Sequence, residues 1–279
     1  MSLQFRLLNS DDIPQAMRLV NIAGWNQTSL DWERFLSASP EGCFVAEHDG
    51  RVVGTSTTII YEGRFAWIGM VIVHPRYRGR GTGTALLERA IQYLDSRRVP
   101  SMKLDATPHG QPLYEKFGFI VEYEIERWML RRHGDVGTVS HAVPEIEDVL
   151  RLDREIFGAD RSALLASLTE EAPEFTLVAR EGREIAGYTF GRRGSRADHL
   201  GPWMARSENV AVILLEEFVR RSQKELVFVD CLLRNLWAVP LVKTRGFEFC
   251  RPLTRMYRGT NNRGGKPGLL CAVLGPEFG

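Results

Sequence analysis

The chain repeats itself, and that repeat limits its architecture more than any other feature. A shift of 128 residues carries Pro112-Leu113-Tyr114-Glu115-Lys116-Phe117-Gly118-Phe119 onto Pro240-Leu241-Val242-Lys243-Thr244-Arg245-Gly246-Phe247. The same shift carries Leu86-Leu87-Glu88 onto Leu214-Leu215-Glu216 and Arg127 onto Arg255. Asp105 and Asp230 stand 125 apart, and a three-residue insertion after Asp230 in the second copy restores the shift. One shift met at three separate places implies a duplicated domain. The expected division is 1–133 and 134–279, each half long enough to bury a core of its own.

Periodicity supplies the elements of each half. Residues 3–8 alternate as a strand, and Ser10 is the expected cap of a helix carrying Ile13, Ala16, Met17 and Val20 at helical spacing. A helix at 29–38 and strands at 43–48, 51–60 and 64–73 follow, the strands separated by Asp49-Gly50 and Glu62-Gly63 turns. A helix then sets Leu86, Leu87, Ala90, Ile91 and Leu94 on one face. A strand at 101–106, a short helix at 110–117 and a strand at 119–131 close the half. The second half repeats the order: a strand at 137–142, helices at 145–157 and 160–169, and strands at 175–180, 184–191 and 197–204. A helix at 208–222, a strand at 226–231, a helix at 235–245 and two strands complete it. The last of these, Leu269–Leu274, has no counterpart in the first half and would complete a sheet shared between the halves. The fold class is α/β (α+β), with two tandem domains that each place a mixed, mainly antiparallel sheet among helices.

Hydrophobic residues at 44% and charged residues at 25% fit a globular protein, and the net charge of +1 gives no electrostatic case for nucleic acid or membrane as a partner. The start, MSLQFRLLNSDD, lacks the apolar core of a signal peptide, so a cytoplasmic location is expected. Cys43, Cys231, Cys250 and Cys271 show neither metal-ligand spacing nor a disulfide framework, and no metal is expected.

Three glycines in VHPRYRGRGTGTALLERA, residues 73–90, open a helix just after a strand. Such a turn presents backbone N–H groups at the positive end of a helix dipole, a seat for phosphate. Thr82, Gly83 and Thr84 bring no carboxylate there, and Arg78 and Arg80 add cationic donors. An NTPase-type loop would need Gly-Lys-Ser/Thr, which is absent. A dinucleotide fingerprint starting at Gly79 has Thr84 where its third glycine belongs, although Asp105 could imitate the ribose-binding acid. A turn without a ligand is the remaining plain reading.

Arg78-x-x-Gly81-x-Gly83 resembles the pyrophosphate loop of the GNAT superfamily of N-acetyltransferases, and TPHGQPLYEKFGF, residues 107–119, resembles that superfamily's next motif. The element order is similar too. The likeness covers residues 3–131 closely and the second half as a divergent copy, as in a tandem two-domain bacterial type. It implies an enzyme that takes acetyl-CoA as acyl donor and transfers its acetyl group to the primary amine of a small molecule. Acetylation of a peptide or protein, and a non-catalytic acyl-CoA sensor, are the alternatives. A monomer or a homodimer is compatible with either.

The resemblance also implies roles. Coenzyme would lie against Met70, Val71, Ile72 and Val73 of the fourth strand, with Gly69 as a bulge or close-approach point, and against Arg78, Gly79, Arg80, Gly81, Thr82, Gly83 and Thr84. Tyr114 would donate a proton to the departing thiolate. Trp67 stands where some members carry a glutamate base, so that role does not transfer; His74, Asp105, His109 or ordered water remain open. Trp25, Asn26 and Asp31 are candidate acceptor contacts that would suit a cationic amine, and Asp105, Asp230 and Asn235 are further ones. In the second half Val242 replaces Tyr114, Asn209 replaces Gly81, and Glu208 puts negative charge where pyrophosphate would lie. That half is expected not to catalyse.

Overall fold

A computed structural model describes residues 3–132, 145–261 and 265–279. The strand expected at 137–142 and the junction at 133/134 lie outside the described residues. The first half runs β1 (Gln4–Leu7), α1 (Ile13–Ala23), α2 (Ser29–Ala38), β2 (Phe44–His48), β3 (Arg51–Tyr61), β4 (Phe65–Val73), α3 (Thr82–Ser96), β5 (Ser101–Ala106), α4 (Gln111–Lys116) and β6 (Ile120–Arg131). The second runs α5 (Glu147–Phe157), α6 (Ser162–Glu171), β7 (Leu177–Glu181), β8 (Glu184–Arg193), β9 (Asp198–Ala205), α7 (Glu208–Arg221), β10 (Leu226–Leu232), α8 (Ala238–Thr244), β11 (Glu248–Gly259) and β12 (Leu270–Ala272). No helix among the described residues is long and apolar enough to cross a membrane.

Local chemistry explains the boundaries. Asp49-Gly50 and Glu62-Gly63 all take positive φ, the backbone that a tight hairpin turn requires. The helix face forecast for α3 is buried in full, from Leu86 to Leu94. Ser10 is not a cap. The Asn9 side chain accepts from the Asp11 amide at 3.0 Å, and residues 10–12 form a short 3-10 turn before α1. Asparagine in extended backbone one residue earlier reaches the free amides, so the helical path starts sooner than the apolar spacing suggests.

Among the described residues the strands form one twelve-stranded sheet in the order β1-β2-β3-β4-β5-β11-β6-β10-β12-β9-β8-β7. The sheet is shared between the halves, and the means is an exchange of last long strands. β11 pairs with β5 of the first half, and β6 pairs with β10 of the second. β12 is not the shared element; it lies between β10 and β9. Two buried ion pairs mark the exchange. Arg127 on β6 faces Asp230 on β10, with bonds of 2.8 and 2.7 Å. Arg255 on β11 faces Asp105 on β5, with two bonds of 2.8 Å. Bidentate arginine–carboxylate pairs are specific in geometry as well as strong. The core follows the exchange: one apolar cluster runs from Leu19 and Phe35 through Phe157 and Tyr188 to Phe278.

After β12 the chain crosses back onto the first half. Phe278 stacks on Phe35 at 4.6 Å, Tyr61 donates to the Phe278 carbonyl at 2.7 Å, and Trp67 Nε1 donates to the Pro276 carbonyl at 2.9 Å. The residues 276–278 thus become a wall beside β4.

Candidate active site

β4 and β5 run parallel and pair only at Ala66↔Met102 and Trp67↔Lys103. Beyond that point they separate and leave a cleft of about 590 Å³, with Ile68–Val73 on one side and Asp105, Thr107 and Tyr114 on the other. The opening coincides with a bulge. Between Thr55↔Ile72 and Thr57↔Gly69, β3 has one residue while β4 has two, Met70 and Val71. Met70 takes φ +49°, held by Thr55 Oγ1 donating to its carbonyl at 2.7 Å. A bulge beside a site re-aims backbone groups that would otherwise bond along the ladder. Gly69 is a close-approach point, since a Cβ there would lie 2.6 Å from the Glu277 carbonyl oxygen.

The glycine loop closes one end of the cleft. Gly79 and Gly81 adopt φ +70° and +79°, and a Cβ on either would meet nothing within 4 Å. Glycine is therefore required there by backbone conformation, and the space beside it is open. No side chain caps α3 and no carboxylate lies in its first turn. The first backward bond of the helix is Ala85 N to Gly81 O at 2.9 Å, so the amides of residues 81–84 have no acceptor within the helix. A diphosphate fits this donor set. Arg78 lines the cleft while its Nε donates to the Val73 carbonyl. Arg80 does not line it; its guanidinium lies over the Tyr77 ring, 5.9 Å from the centroid.

Tyr114 lines the cleft, packed edge-on to Phe119 at 6.1 Å, and its hydroxyl has no protein partner among the described residues. Burial pushes its pKa up to about 12, so at neutral pH the phenol carries its proton.

The end of the cleft where the acceptor was expected is less like its forecast. Trp25 and Asp105 line the cleft, but both Asp105 oxygens are held by Arg255. Asn26 is buried in the contact between halves, where its side chain bonds the Ala197 carbonyl and the amides of Arg196 and Ala197. Asp31 completes the capping box of α2 and pairs with Arg34 at 2.9 Å and Arg192 at 2.5 Å. Asp230 is committed to Arg127, and Asn235 accepts from the Trp237 and Ala238 amides at the start of α8. These four do not reach the cleft, because each already satisfies buried donors elsewhere. Of the candidate bases, His74 accepts from the Arg76 amide in its own turn, whereas His109 faces the cleft.

Sequence reasoning missed Arg127, Arg251, Leu253, Pro276 and Glu277, all of which line the cleft. Arg251 and Leu253 arrive on β11 from the other half. Glu277 arrives on the closing segment, where it pairs with Arg192 and accepts from Gln27 at 2.8 Å. The Arg127–Arg255 match was the available signal, since each arginine needs a carboxylate on a fifth strand.

The corresponding gap in the second half is filled by the chain itself. β9 and β10 pair in parallel from Asp198↔Val227 to Leu200↔Val229, and β12 then inserts between them. Ser207 caps α7 by accepting from the Val210 amide at 3.4 Å, and Glu208 occupies its first turn. Val242, the counterpart of Tyr114, is fully buried. Among the described residues, no group of three or more His, Cys, Asp or Glu could hold a metal ion.

Comparison with known proteins finds a family match for each half. A model of the acetyltransferase (GNAT) family matches residues 12–119, and an acetyltransferase (GNAT) domain model matches 149–269. A holothin acyltransferase of Pseudoalteromonas sp. is 28% identical over 91% of this chain and 87% of that protein. An acetyltransferase of Yersinia pestis is 33% identical over 42% of this chain and 87% of that protein. Among solved structures, a putative acetyltransferase from Pyrococcus horikoshii has a TM-score of 0.83 at 24% identity, covering 99% of this chain and 96% of that one. A tandem GNAT protein from the clavulanic acid biosynthesis pathway has a TM-score of 0.65 at 18% identity, covering 92% and 98%. At these identities the structural likeness is one of fold.

Proposed function

The chain belongs to the GNAT acetyltransferase family, and on that premise we propose that it acetylates the primary amine of a small molecule, in the first half alone. The observation that carries the reading is the contrast between two equivalent gaps. Beside β4 the helix start is uncapped, the glycines leave open space and a phenol faces the cleft; beside β9 each of those features is filled or reversed.

Acetyl-CoA supplies an activated thioester. The amides of residues 81–84 and the Arg78 guanidinium would hold its diphosphate. The bulge at Met70 and Val71 offers backbone N–H groups for a developing oxyanion, and such donors cost no reorganisation when charge appears. Tyr114 would give a proton to the departing sulfur. A small acceptor is favoured because three distant segments wall the far end: Trp25 and Gln27, then Arg251 and Leu253, then Pro276 and Glu277. An extended peptide would need an open groove there. One relative, 28% identical over 91% of this chain, is named a holothin acyltransferase, which supports this choice.

The test is Tyr114→Phe. It removes a hydroxyl without a partner among the described residues, so the fold should hold its stability and its affinity for acetyl-CoA. Loss of general acid catalysis should lower kcat by roughly 10²-fold or more. Turnover equal to the parent would refute the role. Release of thiol from acetyl-CoA with small amines and not with peptides supports the reading; release with peptides alone supports a protein acetyltransferase, and coenzyme binding without any turnover supports a sensor.

A further inference from the structure

We infer that the acceptor is an amine that also carries an anionic group, a carboxylate or its equivalent, and that Arg251 with the free edge of Arg127 receives that group. The inference rests on the proposed acetyl transfer and names its substrate class.

The strand exchange makes the argument, because it places two pseudo-equivalent residue pairs side by side. On β6 and β11, Arg255 lies opposite Tyr123 and Arg251 lies opposite Arg127. The repeat shift converts the first pair into the second, Tyr123 onto Arg251 and Arg127 onto Arg255. Each strand also carries one extra residue there, Glu122 on β6 and Cys250 on β11. Such bulges turn the following side chain toward a site.

The two pairs differ in how their charge is met. Arg255 gives Nε and Nη2 to Asp105 and Nη1 to the Tyr123 hydroxyl at 2.6 Å, so its donor edges are used. Arg127 likewise gives Nε and Nη2 to Asp230, but its Nη1 has no protein acceptor among the described residues. Where a tyrosine oxygen would accept, a second guanidinium stands. Like charges directly opposite on adjacent strands oppose pairing. Arg251 forms no ion pair among the described residues, and its buried Nε has no hydrogen-bond partner.

Burial, reinforced by Arg127, brings the Arg251 pKa down to about 10, which leaves it cationic at neutral pH. The carboxylates on or behind this wall are already matched: Glu277 by Arg192, Asp105 by Arg255 and, behind Arg127, Asp230 by Arg127 itself. Arg251 as a whole is half-buried, but its unpartnered Nε is shut off from solvent; a cation so placed without a counter-ion is costly to maintain, and an incoming anion would supply the missing partner. Asp31, which would have suited a cationic amine, lies outside the cleft and is neutralised by two arginines.

The experiment measures acetyl transfer from acetyl-CoA to matched amines: benzylamine against 4-(aminomethyl)benzoate, and β-alaninamide against β-alanine. A charge-assisted contact predicts that the carboxylated member of each pair has kcat/KM roughly 10- to 100-fold higher, mainly through KM. In Arg251→Met that ratio should collapse toward one, and Arg251→Lys should restore part of it. The Met variant should melt no lower than the parent, since an uncompensated charge has been removed. Turnover that favours the neutral members, or a ratio unchanged in Arg251→Met, overturns this inference and leaves the acetyl transfer standing. Weakened binding of acetyl-CoA in Arg251→Met also overturns it, by assigning the arginine to the coenzyme. No turnover on any amine overturns both.

Discussion

Asp230→Asn is the sharpest probe of the strand exchange on which the cleft depends. Asp230 has no exposed surface; both of its oxygens bond Arg127, and His199 Nε2 lies 3.1 Å away. The amide keeps the shape and removes the charge, leaving the buried Arg127 guanidinium uncompensated and opposite Arg251. Breaking one side of a buried pair costs about 3–5 kcal/mol. For a chain of this size that is a fall in Tm of roughly 6–12 °C. The apolar core is continuous between the halves, so the loss should appear in one transition and not in two. Calorimetry and urea denaturation followed by circular dichroism read both quantities. Acid supplies a second check. Burial alone would raise the Asp230 pKa, but Arg127 and then His199 outweigh it and hold the carboxyl well below the usual range. A folded pKa below the unfolded one means that the contribution is complete above about pH 4 and is lost as pH falls further. The gap between parent and variant should therefore narrow below pH 4. A loss under about 1 kcal/mol, or two separate transitions, would refute the coupling of the halves through this pair.

Two more perturbations address the walls of the cleft. Gly69→Ala would set a Cβ 2.6 Å from the Glu277 carbonyl oxygen and 3.1 Å from its Cα, so the closing segment has to move. Stability should fall by about 1–3 kcal/mol, with KM for the acceptor rising more than KM for acetyl-CoA; unchanged stability and KM would contradict the contact. For Tyr114→Phe, the phenol of the parent stays protonated until pH approaches 12, so the ratio of parent to variant kcat should be flat across neutral pH. A ratio that falls with a midpoint near neutrality would place the proton elsewhere.

The sequence makes the element order legible because periodicity and turn chemistry are local. Gly118 and Gly246 both take φ +79°, so even the repeat's register survives in the backbone. Strand exchange is a different matter. β6 and β11 carry matching patterns, and an arginine at 127 or 255 satisfies an aspartate at 105 or 230 equally well. Local preferences cannot separate the exchanged pairing from the unexchanged one. The shape of the glycine loop could be read because its glycines are required by conformation and its helix lacks an acid. The far wall of the cleft could not, since Arg251 and Glu277 reach it from distant parts of the chain. Asn26, Asp31, Asp230 and Asn235 misled for a related reason: polar residues at element ends look alike whether they bind a ligand or satisfy buried backbone and arginines.

Isothermal titration with acetyl-CoA, on the parent and on Gly81→Asp, tests most directly whether one cleft does the work. The substitution meets no neighbour, but it strains a backbone held at φ +79° and places a carboxylate at the uncapped start of α3. Binding of one acetyl-CoA per chain, weakened by roughly tenfold or more in the variant, is the expected result. Two sites per chain, none, or an affinity indifferent to Gly81→Asp would contradict it.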